Sequence, residues 1–397
     1  MLAGTGPSMK PSLSLLWLIP ALGGVLVAEE KAPRQPIVSK DLIRHGSVRG
    51  EDFGTMPDGR PVRLYLLDNG RGLTASVMTY GATLVSVETP DRKGQRDTVT
   101  LRLGTFDDYL AGHPLFGSVV GRYANRIDRG GFTIDGVRHA LATVNSKTGV
   151  HIHGGKEGFA TRLWEARTVE PAPDGSVGVR FSHASPAGQE GYPGNLTVNV
   201  TYTVTPGNAL RIDYEATTDR ATHVNLTNHA YWNLAGAGSG DVLGQELTVT
   251  AGEVLEVDDR KIPTGRLLPV TGTPFDFLQT RRIGARLAEV PDGGYDHCYV
   301  LDAPSGADRL KACARLRDPG SGRIMEVLTT QPGVQVYTAN YLTNQYRWNG
   351  HAYGRHHAIC LETQHFPDSP NRPEFPSTLV RPGTPLRETT VFRFSVE

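Results

Sequence analysis

Residues 196–204 read LTVNVTYTV, in which apolar and polar side chains alternate without interruption. Alternation with a period of two is typical of a β-strand that buries only one of its faces. The turn-forming residues Pro206-Gly207-Asn208 follow, and residues 210–216, LRIDYEA, alternate again. Two alternating runs separated by a short turn predict an antiparallel pair of strands. This stretch therefore indicates a protein built from antiparallel β-sheet.

Similar short runs extend from this pair toward both ends of the chain. Phe132-Thr-Ile-Asp-Gly-Val137 carries an Asp-Gly turn between two apolar positions, which is a strong hairpin signal. The other runs lie at residues 62–67, 73–87, 98–103, 246–250, 298–301, 334–338, 358–362 and 391–396. Helical periodicity is limited to residues 105–110 and 283–288. Many short strands without a strand–helix–strand rhythm predict an all-β fold, a large antiparallel β-sandwich or barrel with few short helices.

The composition limits the classes of partner and the number of domains. The chain has 397 residues, and 41 Lys plus Arg balance 41 Asp plus Glu. Nucleic-acid binding needs a surplus of basic residues to neutralise phosphates, so we predict no nucleic-acid partner. Three cysteines are too few, and odd in number, for a disulfide framework. No change of composition marks a linker, and we therefore predict one domain over residues 53–397.

The N-terminal residues resemble a targeting segment. Residues 15–28, LLWLIPALGGVLVA, are apolar or small, and no acidic residue precedes Glu29. A run of this length is too short to span a hydrocarbon core of ~30 Å as a helix. We predict a signal peptide over residues 1–28, with an uncleaved anchor or a disordered tail as the alternative, and an irregular lead-in over residues 29–52. The expected protein is exported, periplasmic or extracellular, and leaves the membrane once the leader is removed.

Side chains that can carry chemistry gather in five short stretches. These are Gly121-Arg-Tyr-Ala-Asn-Arg-Ile127, His151-Ile-His-Gly-Gly155, Asn225-Leu-Thr-Asn-His-Ala-Tyr-Trp-Asn-Leu-Ala-Gly236, Tyr295-Asp-His297 and Cys360-Leu-Glu-Thr-Gln-His365. His151 and His153 are two residues apart, which predicts that they share one face of a strand. A zinc site would need further ligands that this spacing does not supply, so we predict no metal. No phosphate-binding or dinucleotide-binding loop accompanies the five stretches, and we predict no cofactor.

Glu362 stands at the end of an apolar strand. Burial at that position would raise the pKa of its carboxyl group toward the range of a useful base. The alternative is an ordinary surface carboxylate. The guanidinium and amide groups of Arg126 and Asn125 form a pair that is suited to several hydroxyl oxygens.

These stretches, in this order, resemble the aldose 1-epimerase, or galactose mutarotase, family. The resemblance runs from about Phe53 to Phe394. It includes Tyr80-Gly-Ala-Thr-Leu84, Gly121-Arg-Tyr-Ala-Asn-Arg-Ile127, His153-Gly-Gly155, Gly191-Tyr-Pro-Gly194, Asn225-Leu-Thr-Asn-His-Ala-Tyr231, Tyr295-Asp-His297, Gln331-Pro-Gly-Val-Gln-Val-Tyr337 and Leu361-Glu-Thr-Gln364. The resemblance implies the family's fold, a large antiparallel β-sandwich called a supersandwich, which agrees with the strand pattern. The chain departs from the usual family pattern at His151, Ile152 and Trp232.

The resemblance also implies roles for individual residues. Glu362 corresponds to the general base that takes the proton from the anomeric hydroxyl of a sugar, and His229 to the general acid that protonates the ring oxygen. The residues that correspond to sugar-binding groups are Asn125, Arg126, His153, Tyr231, Asp296 and Gln335. Ring opening and reclosure by proton transfer interconvert the α and β anomers of a free aldohexose, and this chemistry requires neither a metal nor a nucleotide. A free aldose, which is uncharged, is therefore the expected small-molecule partner.

Two other functions are compatible with the same residues. One is a non-catalytic carbohydrate-binding protein on the same fold, since fold does not determine function. The other is a glycoside hydrolase that uses Asp296 and Glu362 as its two carboxyl groups. The presence of both proton carriers, Glu362 and His229, favours the epimerase. The sequence does not predict the preferred aldose or the oligomeric state.

Overall fold

The structure is a computed structural model that describes residues 46–302 and 309–397. The strands, in chain order, are β1 (Ser47–Thr55), β2 (Pro61–Asp68), β3 (Thr74–Met78), β4 (Thr83–Pro90), β5 (Arg96–Thr98), β6 (Val119–Val120), β7 (Arg126–Ile127), β8 (Gly131–Ile134), β9 (Val137–Ala140), β10 (His151–Ile152), β11 (Glu165–Val169), β12 (Val177–Ser185), β13 (Leu196–Val204), β14 (Ala209–Thr218), β15 (Thr222–His223), β16 (Thr227–Asn228), β17 (Glu246–Val249), β18 (Glu253–Val257), β19 (Pro263–Pro269), β20 (Arg281–Arg282), β21 (Asp296–Val300), β22 (Lys311–Arg317), β23 (Arg323–Thr329), β24 (Gly333–Tyr337), β25 (Arg347–Trp348), β26 (His351–Ala352), β27 (Cys360–Gln364), β28 (Leu379–Val380) and β29 (Leu386–Val396).

The helices of the described residues are short. They are the α-helix α1 (Phe106–Leu110) and the 3₁₀ helices at Phe159–Thr161, Gln189–Gly191, Ile283–Glu289, Pro291–Gly293 and Ser369–Asn371. Within the described ranges, no helix has the length and apolar character needed to cross a membrane. The predicted signal peptide, residues 1–28, lies outside the described residues. The predicted all-β fold class is confirmed.

Three sheets form the body of the protein. The largest has nine strands in the order β11-β12-β13-β14-β29-β23-β22-β17-β20, and the others have the orders β1-β2-β3-β4-β5 and β19-β18-β21-β24-β27. Neighbouring strands in all three are antiparallel. Apolar side chains from the nine-stranded sheet and from both five-stranded sheets meet in one hydrophobic core. The arrangement is the predicted sandwich, in which the sheets bury one face each in a shared core.

The strand pair that the sequence analysis starts from is confirmed. β13 and β14 pair from Leu196 opposite Thr218 to Val204 opposite Leu210. Every second residue of β13 is buried, and the buried residues belong to the core between the sheets. The predicted Asp-Gly hairpin also forms, because Asp135 and Gly136 adopt the positive φ angles of 48° and 79° that a tight turn between β8 and β9 requires.

Two stretches differ from the strand prediction. Residues 73–87 were predicted as one run, but β3 and β4 are separate strands joined by a turn in which Gly81 has φ 67°. Both strands are almost completely buried, so neither shows the alternation of buried and exposed residues that would have separated them into two strands. The predicted irregular lead-in is wrong over residues 47–52, which belong to β1. β1 leaves most of its side chains exposed and is held by its pairing with β2, so it shows no hydrophobic period.

Candidate active site

Three adjacent strands, β21, β24 and β27, form the floor of the candidate site. Their register places Asp296 opposite Tyr337, which lies opposite Cys360, and Gln335 opposite Glu362. Residues that lie opposite each other, or two apart along a strand, share one face of the sheet. The intervening residues point to the other face, and the main core holds Tyr299, Val334, Val336 and Leu361. The apolar face therefore anchors the sheet in the core, and this fixes the positions of the polar side chains on the opposite face.

A cavity of about 280 Å³ lies over this polar face. Seven of the eight predicted site residues line it: Asn125, Arg126, His153, His229, Tyr231, Asp296 and Glu362. Segments far apart in the sequence supply these residues. Arg126 lies on β7, which pairs with β10, and His229 directly follows β16, which pairs with β6. The cavity wall also includes Tyr337 and Tyr341, which the sequence analysis did not select. Tyr337 lies in a stretch that carries the family resemblance, whereas no sequence signal marks Tyr341.

Glu362 and His229 form the most deeply buried polar contact of the cavity. Nε2 of His229 lies 3.6 Å from Oε2 of Glu362, and both side chains are less than a tenth exposed. The imidazole stacks on the ring of Tyr231 with a centroid separation of 5.0 Å and an interplanar angle of 11°. Its backbone N–H donates to the carbonyl of Ser118 at 3.0 Å, which fixes the residue in place. Among the described residues, Oε2 of Glu362 and Nδ1 of His229 have no hydrogen-bond partner.

Burial sets the protonation of this pair. Burial, together with the charge of Asp296, raises the pKa of Glu362 from 4.5 to about 8. Burial also lowers the pKa of His229 from 6.5 to about 4. Both shifts have the same cause, because a low-dielectric environment disfavours the charged form of either group. The pair therefore holds one proton between about pH 4 and about pH 8, and its uncharged arrangement keeps that proton on Glu362.

Asp296 is held by two hydrogen-bonded neighbours. Nη2 of Arg126 lies 3.3 Å from its Oδ2, and Nε2 of Gln335 donates to its Oδ1 at 2.6 Å. Nη1 of Arg126 also donates to Oδ1 of Asn125 at 3.2 Å. Gln335 is therefore brought to the site, but it contacts Asp296 and is not part of the cavity wall. The network orients the carboxylate of Asp296, the guanidinium of Arg126 and the amide of Asn125 toward the cavity.

His153 presents a defined ring nitrogen to the cavity. The backbone N–H of Asn125 donates to its Nδ1 at 3.2 Å, so Nδ1 is the unprotonated nitrogen of the neutral ring. Burial, followed by the charges of His229 and Arg126, lowers the pKa of His153 well below its ordinary value. The imidazole therefore stays neutral and carries its proton on Nε2, where it can donate a hydrogen bond to a ligand.

Comparisons with known proteins agree with this architecture. A sequence model of one protein family, described as Aldose 1-epimerase, matches residues 63–393. The galactose mutarotase of Sus scrofa is 42% identical over 352 residues, which are 88% of this chain and 99% of that protein. The chain belongs to the aldose 1-epimerase family. The aldose 1-epimerase of Escherichia coli is 35% identical over 348 residues, which are 86% of this chain and 97% of that protein.

A solved structure extends the similarity to the fold. The GalM/aldose epimerase homologue from C. elegans superposes with a TM-score of 0.74 at 32% identity, covering 82% of this chain and 96% of that one. The predicted family and its supersandwich fold are confirmed. The protein is accordingly an isomerase.

The two histidines of His151-Ile-His153 point in different directions in the structure, and the prediction that they share a strand face is wrong. β10 ends at Ile152, and His153 has φ 53°, so the alternation of an extended strand stops before it. His151 is buried away from the cavity wall, where its Nδ1 lies 2.7 Å from the carbonyl oxygen of Thr143 and its Nε2 lies 3.0 Å from the hydroxyl of Tyr192. His151 supports the structure behind the site.

Another group has spacing that suits metal coordination. A ring nitrogen of His229, Sγ of Cys360 and a carboxylate oxygen of Glu362 lie within 4.8 Å of one another, and all three residues are buried. Sequence reasoning did not select Cys360 as a site residue. Its closeness to His229 arises only when β27 lies beside the segment that carries His229.

The raised pKa of Glu362 predicts a pH-dependent effect of Glu362→Gln on stability. The folded state binds the carboxyl proton more tightly than the unfolded chain, so this group's contribution is present below pH 4.5 and is lost as the pH rises through about 8. Gln keeps the shape and cannot ionise. We expect the free energy of unfolding of the variant, relative to the wild type, to increase by about 1 kcal/mol or more between about pH 5 and about pH 9.

Urea unfolding at several pH values measures this difference. Glu253→Gln, at an exposed position of β18, is the matched control for replacing a carboxyl group by an amide. A pH-independent difference between Glu362→Gln and the wild type would contradict the assigned direction of the pKa shift.

Proposed function

We propose that this protein interconverts the α and β anomers of free aldohexoses such as glucose and galactose, with Glu362 and His229 as its two proton carriers. One observation carries the proposal. A carboxyl group and an imidazole lie 3.6 Å apart at the base of a cavity that is lined by hydrogen-bonding groups and by the ring of Tyr231. The names of the relatives, galactose mutarotase and aldose 1-epimerase, support the same reaction.

Ring opening uses the pair in its charged arrangement. The carboxylate of Glu362 removes the proton from the anomeric hydroxyl O1, and the imidazolium of His229 delivers a proton to the ring oxygen O5. The C1–O5 bond breaks as a carbonyl forms between C1 and O1. The products are an open-chain aldehyde, a protonated Glu362 and a neutral His229. Burial favours this uncharged arrangement, so the low-dielectric site assists the opening step.

Ring closure reverses the proton transfers on the other face of the aldehyde. Rotation about the C1–C2 bond turns the carbonyl over while the remaining hydroxyls stay bound. O5 then attacks C1 and gives its proton to His229, while Glu362 returns its proton to O1. The sugar leaves with inverted configuration at C1, and the enzyme regains its starting protonation. Neither group is consumed, because the single proton of the pair only changes its position.

The remaining polar groups fit an uncharged polyol. Nε2–H of His153 and the guanidinium of Arg126 can donate hydrogen bonds, the carboxylate of Asp296 can accept them, and the ring of Tyr231 can cover an apolar face of the sugar. Gln335 acts in this proposal through Asp296, because its amide donates to that carboxylate.

The glycoside hydrolase alternative would use Asp296 and Glu362 as an acid–base pair. In the structure, the carboxylate of Asp296 is engaged by Arg126 and Gln335, while Glu362 faces His229. The carboxyl–imidazole pair therefore suits anomer exchange better than glycosidic hydrolysis. A non-catalytic sugar-binding protein would have no need for two proton carriers in contact. Calorimetric sugar binding without faster anomer exchange would favour that alternative.

Replacing either proton carrier should abolish most of the activity. We expect Glu362→Gln and His229→Asn each to lower kcat about 10²- to 10⁴-fold, the usual contribution of general acid–base catalysis. Polarimetry with freshly dissolved α-D-glucose and α-D-galactose measures the rate, and circular dichroism verifies the fold. Glu253→Gln and His351→Asn, at exposed positions, are the controls. A wild-type protein no faster than buffer would refute the proposed function, and near-normal activity of either variant would refute its residue's role.

The pH profile tests whether the pair shares one proton. Above about pH 8 the pair loses its proton and has no acid, and below about pH 4 it gains a second proton and has no base. We expect kcat/KM to be flat between about pH 5 and about pH 7 and to fall about tenfold per unit above about pH 8. Asp296→Asn removes a charge that raises the pKa of Glu362, so it should move the upper limit to lower pH. An unchanged upper limit would contradict that coupling.

We propose further that the protein is exported after cleavage behind Ala28, supported by the apolar run at residues 15–28. Expression of the full chain in a bacterial host, cell fractionation and mass spectrometry of the N-terminus test this point. The expected product is periplasmic or extracellular and begins at Glu29. Leu18→Arg, which interrupts the apolar run, should keep the chain in the cytoplasm. A wild-type chain that retains residues 1–28 in the cytoplasm would contradict the proposal.

A further inference from the structure

The floor of the cavity holds a thiol that the proposed reaction does not use. Cys360 stands two residues before Glu362 on β27 and therefore shares its face of the sheet. The residue is fully buried and is not part of the cavity wall, whereas Glu362 and His229 both reach the cavity. Ring opening needs only a carboxyl group and an imidazole, so the thiol has no part in that chemistry.

The thiol completes a set of three ligands with the spacing of a metal centre. Sγ of Cys360, a ring nitrogen of His229 and a carboxylate oxygen of Glu362 lie within 4.8 Å of one another. Around a tetrahedral Zn²⁺, ligand bonds of about 2.0–2.2 Å place two nitrogen or oxygen donors about 3.4 Å apart. The separation of 3.6 Å between Nε2 of His229 and Oε2 of Glu362 is close to this value.

Of the ligand atoms measured above, Oε2 of Glu362 lacks another partner. It is buried and has no hydrogen bond to any described residue, whereas on His229 the unpartnered ring nitrogen is Nδ1 and Nε2 is the nitrogen that faces Glu362. The residues themselves are only 2% and 5% exposed. A buried polar atom without a partner is costly, which makes such an atom available to an incoming cation.

We propose that Cys360, His229 and Glu362 form an inhibitory binding site for Zn²⁺ or a similar thiophilic divalent cation, with a water molecule from the cavity as the fourth ligand. Thiolate and imidazole ligands select zinc over calcium or magnesium. On coordination, the thiol and carboxyl protons leave to solvent through the cavity. A bound cation occupies both proton carriers and therefore stops proton transfer to and from the sugar. The inhibition rests on the proposed function, whereas the binding itself does not.

Cobalt spectroscopy on the full protein tests the binding independently of activity. Metal-free protein titrated with Co²⁺ should show a thiolate-to-cobalt charge-transfer band in the near ultraviolet and the intense visible bands of a tetrahedral ion. Cys360→Ser should lose the charge-transfer band. Cys298→Ser is the matched control, because Cys298 is a buried thiol on the same sheet face but outside the ligand set, and it should keep the band. A weak, octahedral-type spectrum without a thiolate band would overturn the proposal.

Inhibition and crystallography complete the test. We expect Zn²⁺ to inhibit anomer exchange, and Cys360→Ser to raise the inhibition constant at least about tenfold while leaving the metal-free rate unchanged. If Cys360→Ser does not fold, anomalous diffraction from zinc-soaked wild-type crystals decides: zinc between the three side chains supports the site, and zinc elsewhere or none overturns it.

A protein without anomer exchange that still gives the thiolate–cobalt band would refute the proposed function and leave this site standing. An active protein that lacks the band would refute this site alone.

Discussion

The structure of the site depends on one constraint, the period of two in the strands β21, β24 and β27. Each strand sends alternate side chains to opposite faces of the sheet, so the residues that anchor the sheet in the core are interleaved with those that face the cavity. Val334 and Val336 pack in the core, while Gln335 between them reaches Asp296. A shift of one residue in register would exchange the two sets, placing valines in the cavity and carboxylates in the core. Stability and function are therefore specified by the same hydrogen-bonded register.

Burial then converts this geometry into chemistry. An exposed glutamate is ionised at neutral pH, but the environment of Glu362 raises its pKa to about 8, and that of His229 lowers its pKa to about 4. The two groups behave as one unit that holds a single proton and can place it on either side of a bound molecule. Groups that lack partners in the folded protein are also those that a ligand can satisfy. For this reason we propose the same pair as the proton carriers for a neutral sugar and, with Cys360 beside it, as ligands of a thiophilic cation.

Sequence reasoning is most successful where a local pattern has a single structural meaning. The alternating run at residues 196–204 and the Asp135-Gly136 turn predict their strand pair and hairpin correctly, because side-chain period and turn chemistry are local properties. The strands β3 and β4 are buried on both faces over most of their length and lack alternation, so the hydrophobic pattern does not divide them into two strands. The prediction of an irregular segment at β1 is wrong for the opposite reason. β1 is held by backbone pairing with β2 and buries few of its side chains, so it shows no hydrophobic pattern. The spacing of His151-Ile-His153 gives a wrong prediction because the strand ends at Ile152, and the positive φ of His153 turns its side chain away from the face of His151.

The sequence by itself determined the fold class, the family resemblance and seven of the residues that line the cavity, because alternation, turns and motif order are properties of the linear chain. The tertiary structure alone decided which of these residues touch. It turned His151 away from the cavity and His153 toward it, placed Gln335 behind Asp296, and brought Cys360 beside Glu362 and His229. It also set the proton affinities of Glu362 and His229. Contacts and proton affinities depend on distance and on exclusion of water, and both arise only when segments that are far apart in the sequence pack against each other.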